Sequence, residues 1–286
     1  MENTELESLP RRQTDPAWLQ DHFLSTGHDD KTKNATVTFV KRRDRHYAVT
    51  CRHVAKSVEN PQLIPGAKFP TIALHVDRAV LNLSGFTARG HVQAVRSPDS
   101  DSDQKDIDIG IAPLDGGAHW HILATSKRKV PIDLDQWREP DWSKVKYCLA
   151  AGYPDEHKNR VTNEGSEQVA SPFFTVVAEI GSGLGRTVRI ITLSSTLNEP
   201  HGYFFSGMSG GPVYAIEGRE HETVEDDELL PVGIIFEGFP GSGRPDQQTA
   251  STATSFLTDR DLFFRALTLT PEIFDEWLRD AGLDGK

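Results

Sequence analysis

Between residues 35 and 257 the chain breaks into short runs of alternating apolar and polar residues, and no long amphipathic helical pattern interrupts them. Runs at 35–40 and 46–51 flank a charged turn and read as a hairpin. Others follow at 79–83, 91–95, 107–112, 146–151, 173–180, 187–193, 212–216 and 232–236, separated by clusters of Gly, Pro, Asp and Asn. A parallel α/β sheet needs crossover helices between its strands, so this pattern leaves a sandwich or barrels. The expected fold class is all-β.

The stretch 116–143, rich in Pro, Gly and Trp, reads as a linker between two β units over 35–115 and 144–257. Residues 1–34 form an arm in this division, and 258–286 a helical tail. Within the arm, residues 1–14 read as a mobile polar lead. Asp15 then offers an N-cap with Pro16 at the first helical position. Trp18, Leu19, His22 and Phe23 follow at helical spacing before Gly27. In the tail, a helical pattern is expected from Thr258 to Leu267, and a further helix from the cap Thr270 with Pro271 and Glu272 in its first turn.

Charge narrows the function. Lys and Arg total 31 and Asp and Glu 42, a balance of 31 − 42 = −11. A uniform acidic excess argues against a surface that neutralises phosphates or anionic lipid, so neither nucleic acid nor membrane is expected as a partner. No window approaches the roughly 18 apolar residues of a membrane helix. The first residues lack the apolar core of a secretory signal, so a cytoplasmic protein is expected. Cys51 and Cys148 read as isolated thiols, not as a disulfide framework.

The most informative segment is Gly207-Met208-Ser209-Gly210-Gly211-Pro212. A serine set among glycines has a use in acyl transfer. Gly207 lets the backbone turn so that its own N–H and that of Ser209 point into one small cavity, where paired donors stabilise an oxyanion. The hydroxyl needs a base and the base an orienting acid. Thr50-Cys51-Arg52-His53 supplies a histidine at the end of a strand, and Asp108-Ile109-Gly110-Ile111 a carboxylate at the head of another. Asp106 is a rival acid, because it projects from the same strand face. Asp108 is favoured for the small residue Gly110 two places on. A Gly-x-Ser-x-Gly elbow of the α/β-hydrolase kind would need Asp and then His after the serine. Only His221 follows, with no aspartate between.

These three segments resemble the triad motifs of the trypsin-like (chymotrypsin-fold) serine peptidases, and His53, Asp108, Ser209 is that family's order. The resemblance implies two six-stranded antiparallel β-barrels with short N- and C-terminal helices and an active site in the cleft between them. It implies a serine endopeptidase acting on protein or peptide substrates through an acyl-enzyme, with no metal or organic cofactor. It places Tyr203 near the base of the primary pocket and Phe236, Glu237 and Gly238 along the strand that pairs with substrate. Digestive members carry an aspartate before the serine, to pair with a freshly cut N-terminus. Met208 stands there and cannot do so, which resembles the intracellular and heat-shock branch. Two other readings remain: a latent protease that a regulatory partner protein switches on, and a barrel scaffold without turnover.

Two further features carry less. His119-Trp120-His121 lacks a third ligand at metal spacing, and residues 99–103 start like a calcium loop but lack its glycine.

Overall fold

Strand residues dominate the structure because β-branched and aromatic side chains recur at a period of two and are buried on alternate or both faces. A computed structural model of the chain describes residues 5–21, 34–57, 70–76, 79–82, 93–94, 107–114, 119–155, 159–163, 166–180, 189–196, 207–217, 229–240 and 261–284. In chain order these hold α1 (Glu5–Gln13), β1 (Thr14–Asp21), β2 (Asn34–Arg42), β3 (Arg45–Thr50), α2 (Arg52–Ser57), β4 (Pro70–Val76), β5 (Ala79–Asn82), β6 (Gln93–Ala94) and β7 (Gly110–Pro113). Then come α3 (His119–Ser126), β8 (Ile132–Asp133), β9 (Val145–Gly152), β10 (Asn159–Asn163), β11 (Ser166–Ala170), β12 (Phe174–Ile180), β13 (Ile190–Thr196), β14 (Pro212–Glu217), β15 (Leu229–Pro240), β16 (Asp261–Thr268) and α4 (Pro271–Asp280).

The all-β expectation holds. The C-terminal half closes as a six-stranded antiparallel barrel in the order β12-β13-β16-β15-β14-β9. In the N-terminal half an eight-stranded sheet runs β5-β4-β1-β2-β3-β7-β6, and β8 adds to β2 in parallel. The barrel interior is filled by Cys148, Ala150, Leu193, Val213, Ile235 and Phe264 among others. A second apolar layer, including Tyr47, Val49, Ile111, Ile234, Phe274 and Trp277, joins the first sheet, the barrel and α4. The two halves therefore share one packed core. Among the described residues no helix is long and apolar enough to cross a membrane.

Four local expectations differ from the structure. Residues 5–13 are helical, and the segment expected to be a helix from Asp15 is strand β1. Its proline is tolerated because the ladder to β4 begins only at Ala17, so Pro16 leaves no bond to that neighbour unmade. Asp15 caps nothing: it is buried and paired with Lys127 and Lys129. The expected helix ending at Leu267 is, from Asp261 on, strand β16, in which Leu262, Phe264 and Ala266 are buried at a period of two. The linker contains α3 and β8, so it is less irregular than its composition suggests. Residues 22–33 and 258–260 lie outside the described residues.

The last helix is as expected. The Thr270 hydroxyl accepts from the Ile273 N–H at 3.2 Å. Phe274, Trp277 and Leu278 bury one face. Gly282, at φ 65°, ends the helix with bonds from Leu283 N–H to the Leu278 carbonyl and from Gly282 N–H to that of Arg279.

Candidate active site

The pairing of β3 with β7 puts Thr50 opposite Gly110. His53 lies three residues beyond Thr50 and Asp108 two before Gly110, so antiparallel pairing delivers both to the same sheet end. The Asp108 position is a tight turn, closed by the Ile109 N–H on the Ile107 carbonyl at 2.9 Å. Asp108 Oδ1 accepts the backbone N–H of His53 at 2.9 Å, and Oδ2 lies 2.6 Å from His53 Nδ1. Burial works against the Asp108 carboxylate, but the His53 side chain and backbone N–H and the Arg52 charge outweigh it. The carboxyl is held below its ordinary value. His53 is exposed and Asp108 half-buried.

Ser209 sits in a loop that the first sheet holds from behind. Thr36 and Thr38 point from one face of β2, and their hydroxyls donate to the carbonyls of Gly207 and Gly210, each at 2.7 Å. The Thr36 N–H donates to the Ser209 carbonyl at 3.1 Å, and the Gly210 N–H to the Ile235 carbonyl at 2.8 Å. Gly207 and Gly210 take φ of 94° and 93°, a region L side chains rarely adopt. A Cβ on Gly210 would stand 2.1 Å from the Thr36 carbonyl. With the loop's carbonyls turned toward β2, the N–H groups of Gly207 and Ser209 donate to no described residue. Met208 is buried in the barrel core.

A cleft of about 800 Å³ opens beside the histidine. Its walls include His53, Asp108, Phe236, Glu237, Lys56 and Trp277, but neither Ser209 nor Gly238. Glu237 is paired with Arg265 at 2.9 Å, and that guanidinium lies over the Phe236 ring at 5.2 Å. Gly238 stands against the Phe264 ring. Tyr203 and the rival acid Asp106 lie outside the described residues.

Cys51 is the residue that sequence reasoning left out. Its thiol is fully buried behind the serine and donates to the Ile235 carbonyl at 3.1 Å. Burial pushes the thiol far up, against hydrogen bonds from the Gly210 backbone and the Ser209 side chain. Among the described residues no hydrogen bond joins the Ser209 hydroxyl to His53. Donor atoms of Cys51, His53 and Asp108 lie within 4.8 Å of one another, a set a soft divalent ion could use. The thiol is already bonded, however, and the carboxylate is engaged by His53. The Thr36 and Thr38 contacts had no signal in the sequence, where alternation reads these threonines as a solvent face, but β2 is buried along both faces.

No family model matches the chain, and no curated protein matches its sequence. Among solved structures, the fold is similar to a thermostable serine protease, AL20, from an extremophilic microorganism, with 12% identity over 96% of this chain and 98% of that one and a TM-score of 0.45. It is also similar to the protease Anisep from Arthrobacter nicotinovorans, with 11% identity over 95% and 96% of the two chains and a TM-score of 0.44. The human heparin binding protein is a third, with 11% identity, 98% and 94% coverage and a TM-score of 0.46.

Proposed function

We propose that this chain is a serine endopeptidase of trypsin-like fold, with Ser209 as nucleophile, His53 as base and Asp108 as orienting acid. The observation that carries the reading is the double contact of Asp108 on His53, made at the sheet end nearest a serine loop in which the Gly207 and Ser209 N–H groups donate to no described residue. Ser209 Oγ attacks the scissile carbonyl as His53 takes its proton, and the proton then goes to the leaving amine. The Gly207 and Ser209 N–H groups hold the oxyanion. Water repeats the attack on the acyl-enzyme and restores the serine. Phe236 and Glu237 flank the substrate on the non-leaving side, with Gly238 and Tyr203 toward the primary pocket.

Among the described residues the Ser209 hydroxyl makes no hydrogen bond to His53, which favours a second reading, a latent protease whose site a partner protein or signal completes. Met208, buried in the barrel core, offers no carboxylate to a newly cut N-terminus, which supports a branch that is not activated in that way.

Digestion of casein tests the proposal. Fragments made by the wild type and not by Ser209→Ala support it, and equal fragments from both proteins contradict it. Fragments that require an added cell fraction, still absent with Ser209→Ala, mark the latent form. None under any condition leaves the scaffold.

A further inference from the structure

On another part of the surface, the last turn of α1 meets the segment that follows α3 and borders an open cavity of about 500 Å³ lined by Arg11, Arg12, Lys127, Arg128 and Lys129. It shares no lining residue with the cleft at His53. Five cations in one depression are out of keeping with a chain of net charge −11. Asp15, buried beneath them, pairs with Lys127 Nζ at 2.6 Å and Lys129 Nζ at 3.3 Å.

The two lysines are the floor. Lys129 is buried and donates to the Arg11 carbonyl at 3.1 Å and to the Thr14 carbonyl, which fixes α1 on the body of the protein. Its ammonium is disfavoured by burial and, although Asp15 helps, by the charges of Lys127 and Arg11. The arginines form the rim. Arg12 and Arg128 are exposed, and neither is in an ion pair with a described residue. The Arg12 carbonyl accepts the Val130 N–H at 3.1 Å, and the Arg12 side chain reaches across through Nε to the Arg128 carbonyl at 3.5 Å. Arg128 has φ of 52°, so the chain holds this side chain in place at some cost in backbone strain. Favourable placement at the end of a helix accounts for Arg11 and Arg12, but not for Arg128 or the two lysines.

We infer that this cavity is a binding site for a multiply charged phosphate compound of small-molecule size. Arginine forks match phosphate oxygens in pairs, and the buried Lys129 and part-buried Lys127 supply charge from below. Arg12, Lys127, Arg128 and Lys129 face one carboxylate among the described residues, Asp15, and that excess calls for an anion of several charges. The volume falls in the range of about 300–1,000 Å³ that small ligands occupy.

The test is calorimetric titration of the full chain with inorganic tripolyphosphate, and separately with ATP, at near-physiological salt. Saturable one-to-one binding is expected, weakened about tenfold or more in Arg12→Gln/Arg128→Gln, with the melting midpoint of the free protein unchanged. Arg128→Gly is the second variant, because glycine adopts the same φ without strain and removes one fork without disturbing α1. Equal affinity for the two ligands marks a site that reads phosphates alone, and tighter ATP binding one that also reads a nucleoside. No saturation at millimolar tripolyphosphate, or undiminished binding in both variants, overturns the inference. So does an RNA or DNA oligonucleotide that binds more tightly at the same residues, which would make the ligand a nucleic acid.

Discussion

Asp108 holds His53 at two points, one oxygen on the backbone N–H at 2.9 Å and the other at the ring Nδ1 at 2.6 Å. The first contact fixes where the residue stands, and the second fixes the ring's orientation and tautomer. The pair is complete without Ser209. Asp108→Asn keeps an acceptor for the backbone N–H but can present an amide N–H to Nδ1, which favours the wrong tautomer. Reaction of Ser209 with a fluorophosphonate probe should slow by about 10³–10⁴-fold while the melting midpoint holds. A loss under tenfold would remove Asp108 from the proposed role.

Thr36 both donates to the Gly207 carbonyl and accepts from the Tyr153 N–H, at 2.7 and 3.0 Å. Thr36→Val keeps the shape and leaves two buried backbone groups unpaired. The expected destabilisation is about 1–3 kcal/mol by urea unfolding, with a slower reaction at Ser209 than in the wild type. Unchanged stability would show that the loop does not depend on β2.

Gly210→Ala meets two obstacles, a φ of 93° and a new Cβ 2.1 Å from the Thr36 carbonyl, which is backbone and cannot swing away. The loop must shift. Loss of probe reaction together with a stability loss above about 2 kcal/mol is expected. A fully reactive Gly210→Ala protein would mean that the loop is not held as described.

Acid should weaken the fold through Asp275. Arg42 Nε and Nη2 grip its carboxylate at 2.9 and 2.7 Å, and Arg43 adds a contact at 2.9 Å, joining the β2–β3 turn to α4. Hydrogen bonding from Arg42, opposed by burial and aided by the charges of Arg42 and Arg43, holds this carboxyl below its ordinary value. A depressed carboxyl contributes stability that is complete above the unfolded value of about 3.9 and is lost as pH falls through the lower folded value. Asp275→Asn should cost about 1–3 kcal/mol at pH 7 and little near pH 2. Urea unfolding at both pH values checks this, and an equal loss at both would contradict it.

What was legible in the sequence follows from how locally each feature is determined. The β2–β3 hairpin, the strand after Ser209 and the capped helix α4 are written in a few adjacent residues, so alternation and Thr270-Pro271 suffice to find them. His53, Asp108 and Ser209 were legible as motifs, and the β3–β7 register explains how two of them meet. β1 was not, because Asp15-Pro16 carries a strong local signal for a helix start. Lys127 and Lys129, more than a hundred residues away, take up the carboxylate instead. β16 was misread because Leu262, Phe263, Ala266 and Leu267 fit a helical spacing, while the barrel selects the alternation of Leu262, Phe264 and Ala266. The Cys51 thiol on the Ile235 carbonyl is a contact between distant segments, and nothing in either run of sequence announces it.

The central claim is that Ser209 is a nucleophile activated by His53, and covalent labelling of the purified full chain with a fluorophosphonate probe tests it most directly. The account predicts one label per chain, located on Ser209 by mass spectrometry of the tryptic peptide. Ser209→Ala should abolish it, and His53→Ala should slow it by at least about 10³-fold. Labelling that persists in Ser209→Ala, or proceeds in His53→Ala at the wild-type rate, would contradict it.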